Sequence, residues 1–177
     1  FLLENGFSLE EGDKYLLDSI GSNIIVFREN KAEIIGDKII ENTNVNAVAH
    51  TGNLLFAEAL KAGADYKVIE HFLDNGVNIK AKDNGLPVLN AAAGSRYVNT
   101  DYFEKMIALG GDINGRTAGT NETPLITAMK ARRFDIVEML VKKGADVSLK
   151  DSEGKTALDY VLKNNSERSK NLRTLLG

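Results

Sequence analysis

"TPLITAMKARRFDIVEMLVKKGADV", residues 123–147, is the stretch that decides the fold. Thr123 is a residue type whose side-chain oxygen caps a helix start, and Pro124 suits the first helical position, where a missing N–H costs nothing. A second helix follows at Phe134, Ile136, Val137, Met139, Leu140 and Val141, apolar over more than half its surface. Asp135 in its first turn and Lys142 with Lys143 in its last suit the helix dipole. Gly144 then supplies the left-handed residue that ends it. The stretch reads as two short antiparallel helices, and "KARR" (130–133) between them is the one part the fold does not require.

Working outward, the same unit recurs. Small-residue turns occur in "NGFS", "NTNVN", "NGVNI", "GGDIN" and "KGADV". Their residues Gly6, Thr43, Gly76, Gly110 and Gly144 are spaced by 37, 33, 34 and 34. "TPLITAM" at 123 and "TALDYVL" at 156 stand 33 apart. A fixed period of this length marks stacked supersecondary units, none stable alone. The pattern predicts helix pairs at 13–24 and 29–42, 54–62 and 65–75, 86–95 and 100–109, 123–132 and 134–143, and 156–164 and 167–176. The first pair is the most divergent, because "GSNIIVFREN" is apolar where a polar turn is expected and suits a strand as well. "FLLEN" at the start reads as the tail of a preceding helix. "GSRYVNT" should bulge between the third pair's helices, and "INGRTAGTNE" (113–122) should be the longest connection between units.

With 177 residues, 43% hydrophobic and 27% charged, the chain has a globular composition and enough length to bury a core. The formal net charge is −3 but unevenly placed. Basic and acidic side chains number 4 and 9 in residues 1–50, 7 and 9 in 51–122, and 11 and 7 in 123–177. There is no cysteine, so disulfide and thiolate chemistry are excluded. No run approaches the ~18 apolar residues of a membrane span. The chain opens on Phe1 rather than Met, which leaves upstream residues and a cleaved leader open, and with them cytoplasmic, secreted and periplasmic locations.

"TPLITA" (123–128), "DSEGKTALDYV" (151–161), "DNGLPVLNAA" (83–92) and "DIVEMLVKKGADVSLKD" (135–151) resemble the ankyrin repeat. Residues 50–165 carry the resemblance, while 1–49 share only the spacing and "IIENTNVN". It implies an all-α ankyrin-repeat solenoid of helix-turn-helix units joined by hairpin-like fingers, with units at 7–43, 44–76, 77–110, 111–144 and 145–177. The family's signature His is replaced by Leu89, Ile126 and Asp159. The first two can substitute apolar packing, whereas Asp159 needs a donor or solvent.

Candidate chemistry is sparse. Only His50 and His71 could act as imidazole bases, and 21 residues apart with no third ligand they do not form a zinc pattern. His71 falls at the edge of a helical apolar face formed by Val68, Ile69 and Phe72. Glu10, Glu11 and Asp13 read as helix-start acids, and "GGDING" (110–115) is a repeat turn rather than a phosphate loop. No catalytic, metal or cofactor site is expected. The resemblance implies a scaffold that binds another protein through its fingers and helix ends. The tips are Asp83, Asn84, Asn121, Glu122, Ser152 and Glu153, and the basic neighbours are Arg116, Lys130, Arg132, Lys155 and Lys163. Gathered along one groove, those cations would favour an acidic partner. Nucleic acid is disfavoured by the lack of stacking aromatics, since Phe134 and Tyr160 read as core. The alternatives are a targeting or accessory module of a larger enzyme or secreted effector, or a plain solvated face. A monomer is expected.

Overall fold

The computed structural model describes residues 44–46, 54–62, 66–81, 86–161 and 166–177. Their helices are α1 (Leu55–Ala62), α2 (Tyr66–Asp74), α3 (Val88–Gly94), α4 (Thr100–Ala108), α5 (Pro124–Lys130), α6 (Phe134–Lys142) and α7 (Glu167–Leu176), with a 3-10 turn at Leu158–Tyr160 between the last two. The chain is an all-α solenoid. α1, α3, α5 and the 3-10 turn form one row, and α2, α4, α6 and α7 form a second row packed against it. The expected pairs at 13–24 and 29–42 and the "FLLEN" tail lie outside the described residues.

The first row is close-packed because its helices carry small residues on several faces. Ala57, Ala59, Ala91, Ala92, Ala93 and Ala128 are all buried, and between them Leu55, Leu60, Leu89, Leu125 and Ile126 fill the core. The second row contributes Ile69, Phe72, Phe103, Met106, Ile136 and Leu140. Phe56 stacks on Phe72 at 4.8 Å between ring centroids, joining the rows in one unit. Leu89 and Ile126, at the signature His positions, are buried in this core. Apolar packing has replaced the imidazole there.

Helix ends follow the sequence closely. Thr123 accepts a hydrogen bond from the Ile126 N–H at 3.3 Å, and Asn99 from the Tyr102 N–H at 2.9 Å. The second-row helices α2, α4 and α6 end alike, with Val77 N–H donating to Phe72 O, Gly111 to Met106 O and Ala145 to Leu140 O. Gly76, Gly110 and Gly144 adopt φ of 76°, 94° and 88° at these ends, the left-handed conformation that L side chains disfavour. Beyond each end sits a local side-chain turn at a strict 34-residue period. Asn44, Asn78, Asp112 and Asp146 each accept, through Oδ1, the N–H of the residue two positions on. Two side chains also bridge units: Asn46 Oδ1 accepts from Asn78 N–H at 2.6 Å, and Asn114 Oδ1 from Asp146 N–H at 2.9 Å. Lys80 occupies the corresponding place between them, and an ammonium cannot accept.

Two expectations need correction. Of the helix expected over 156–164, the described residues 156–161 form a single 3-10 turn, after which Val161 is extended with ψ of 130°. Asp159 Oδ2 takes both the N–H and the hydroxyl of Thr156, at 2.8 and 2.9 Å, while the Tyr160 hydroxyl is drawn 2.5 Å from Asp151 Oδ2. Asp159 is exposed and has found its donor in Thr156, which holds its carboxyl below the usual range. Second, "KARR" is not dispensable. Arg132, φ 60°, closes α5 as glycine does elsewhere, and the Arg133 N–H donates to Ala128 O. The Arg133 guanidinium, only 14% exposed, donates to Ser95 O and to Val98 O, the latter at 2.6 Å. It also pairs with Asp135 at 2.8 Å. Residues 95–99, the longer connection expected within the third pair, are held in place by this side chain.

Candidate functional site

The connection at 113–122 folds on itself. The Thr117 N–H donates to Glu122 O and the Asn121 N–H to Thr117 O, both at 3.0 Å, with Gly119 (φ 78°) and Asn121 (φ 55°) supplying the reversal. The next finger closes the same way: the Asp151 N–H donates to Lys155 O at 2.9 Å, and Asp151 Oδ1 accepts from the N–H groups of Glu153 and Lys155. The two fingers are laced together. Ser152 N–H donates to Thr120 O at 2.9 Å, and Arg116 Nη1 reaches Lys150 O at 2.8 Å and Asn121 O at 3.2 Å. Asn90, buried in α3, donates to Glu122 O at 2.8 Å from the other side. The result is a polar ledge whose tips, Ala118 to Asn121 and Ser152 to Lys155, are exposed.

Charges on the ledge are paired. Lys130 runs back along α5 to Glu122 Oε1 at 2.7 Å, and that bond raises its pKa. Lys155 meets Glu153 at 2.6 Å, with the same effect. Both ammonium groups also lie over the Tyr160 ring, at 5.0 and 5.5 Å from its centroid. Asp151, beneath them, is held below the usual carboxylate range chiefly by the Tyr160 hydroxyl.

The structure therefore joins Lys130 and Lys155 through Tyr160 and places Arg116 at the base of the same ledge. It turns Arg116 to backbone carbonyls, and it balances the lysines with Glu122, Glu153 and Asp151. These three carboxylates and the Tyr160 phenol stand in plain view in the sequence, but only the fold brings them to the cations. Arg132 lies apart, in the α5–α6 turn, beside a groove shared with Arg168 of α7. Arg168 escaped sequence reasoning because its partner surface is 34 residues away; Phe134 and Tyr160, read as core, are half-buried and line that groove. Asp83, Asn84, Lys163 and His50 lie outside the described residues. His71 is half-buried on α2, edge-on to Phe72. Among the described residues no cluster of His, Cys, Asp or Glu is arranged to hold a metal, and no helix is long and apolar enough to cross a membrane.

A family model described as ankyrin repeats (many copies) matches residues 106–161, which span α5, α6, both fingers and the 3-10 turn. Residues 106–161 are ankyrin repeats. The chain is 29% identical over 100 residues to alpha-latrotoxin-Lg1a of Latrodectus geometricus, covering 55% of this chain and 7% of that one. It is 29% identical over 114 residues to ankyrin repeat and SOCS box protein 11 of Mus musculus, covering 63% and 33% respectively. Dauer abnormal formation protein 25 of Caenorhabditis elegans is 39% identical over 74 residues, covering 42% of this chain and 19% of its own length. The chain thus spans a third or less of each of these relatives. Ankyrin repeats are protein–protein interaction modules, in general without catalytic chemistry of their own.

Proposed function

We propose that the array binds a protein partner through the finger ledge, from Arg116 through Asn121, Glu122 and Lys130 to Ser152, Glu153 and Lys155. The observation that carries this reading is the lacing of the two fingers by Ser152, Arg116 and Asn121, which fixes an exposed polar surface before any partner arrives. A surface already ordered loses little conformational entropy on association. With its lysines paired, the ledge offers alternating donors and acceptors rather than a cationic face, so its specificity is that of a polar pattern. Photo-crosslinking groups placed at Glu153 and, separately, at Lys142 on the second row test this. Capture of a partner from Glu153 and not from Lys142 is expected. Equal capture from both, or capture from Lys142 alone, would refute the ledge as the contact surface.

A further inference from the structure

At the C-terminal end of α5, adjoining the finger ledge through Lys130 and Tyr160, a partly open groove of about 390 Å³ lies between the last two units. Its floor is apolar: Met129, Phe134, Tyr160 and Leu172. Its rim is cationic, with Lys130, Arg132 and Arg168, and among the described residues no carboxylate lines it. Lys130 is already matched to Glu122. Arg132 and Arg168 enter no ion pair among the described residues; Arg168 rests over the Phe134 ring at 5.3 Å.

Arg132 is informative for a second reason. It occupies the left-handed region at φ 60°, where glycine or asparagine fits without strain. Its side chain is exposed and does nothing evident for the fold. A strained backbone position holding an exposed arginine at the mouth of a groove points to a ligand for that arginine.

We propose that this groove is a second binding site, adjoining the finger ledge, for an acidic peptide segment of a partner protein. An apolar side chain of the segment enters between Met129, Phe134 and Leu172, and carboxylates on either side of it meet Arg132 and Arg168. The charge complementarity fixes the class of occupant. Two unmatched guanidiniums above an apolar floor suit a carboxylate–apolar–carboxylate pattern, and Arg with carboxylate forms the strongest geometry of ion pair. The volume is at the small end of binding clefts, enough for one apolar side chain and the groups beside it.

The test is fluorescence polarisation of the full chain with a labelled peptide, acetyl-Asp-Glu-Phe-Asp-Glu-amide, at about 50 mM salt, where surface charges are weakly screened. Saturable binding is expected, weakened at least fivefold by Arg132→Gly, by Arg168→Gln, and by Ala in place of Phe in the peptide. Ser152→Ala at the ledge tip, outside the groove lining, should leave it unchanged, so failure here is separate from failure of the ledge. Arg132→Gly relieves the left-handed residue, so its melting temperature should hold or rise. A fall of several degrees would make Arg132 structural and overturn the proposal. Undiminished affinity in both arginine variants would do the same. So would tighter binding of a single-stranded oligonucleotide of equal charge, or a dimer of this chain that disappears with Arg132→Gly.

Discussion

Arg133 gives the most direct test of how the units are joined. Replacing it by Ala removes the donors to Ser95 O and Val98 O and the partner of Asp135. Val98 is fully buried and Ser95 nearly so, so their carbonyls gain only partial access to water. A hydrogen bond from a charged donor contributes ~1.5–3 kcal/mol, and an orphaned buried acceptor costs ~1–3 kcal/mol. Water entry along the vacated path offsets part of this, leaving ~2–4 kcal/mol lost. For a chain of this size that is about 6–12 °C in melting temperature. Lys in place of Arg can keep the charge pair with Asp135 but cannot fork to two carbonyls, so it should recover less than half. Urea melts followed by circular dichroism read the loss.

The pH dependence supplies an independent check on Arg133. Its guanidinium holds the Asp135 carboxyl below its ordinary 3.8. A depressed carboxylate contributes stability that is full above the unfolded value and lost as pH falls through the folded one. The gap between wild type and Arg133→Ala should therefore be constant above about pH 5 and narrow from about pH 4 downward. If Arg133→Ala melts within a degree of wild type at neutral pH, the clamp contributes nothing and the interpretation fails.

Other outcomes follow from neighbouring features. Leu140→Ala, at a fully buried second-row position, should cost about 2–5 kcal/mol in a denaturation curve; an unmoved midpoint would contradict the register. Lys80→Asn supplies the acceptor present at Asn46 and Asn114, and should gain ~0.5–1.5 kcal/mol; a lower midpoint would show that the place is not equivalent. Tyr160→Phe removes the hydroxyl that keeps the Asp151 carboxyl low, so acid unfolding should begin at a higher pH; an unchanged acid limb would sever Tyr160 from Asp151.

Much of the fold was legible because its cause is periodic. Gly76, Gly110 and Gly144 mark helix ends, Thr123 and Pro124 mark a start, and apolar spacing does the rest. What was hidden depends on long-range geometry. Nothing local distinguishes Arg133, which reaches carbonyls 35 and 38 residues earlier, from its exposed neighbour Arg132. Of the cations expected along one groove, Arg116, Lys130, Arg132, Lys155 and Lys163, the first, second and fourth stand at the ledge, and only the fold brings Glu122, Glu153 and backbone carbonyls to them. Propensity also does not show that the inner element of the last unit winds, among the described residues, only as a 3-10 turn at Leu158–Tyr160.

The interrupted series of Asn and Asp bridges has a mechanical consequence. In an array where each unit touches only its neighbours, resistance to being pulled apart is set at the weakest junction, not by the sum. Asn46 and Asn114 rivet the junctions on either side, whereas Lys80 leaves the middle one without that rivet. Under a load applied end to end, that junction should therefore rest on the Arg133 guanidinium, which grips Ser95 O and Val98 O across it, and on Asn90, which grips Glu122 O.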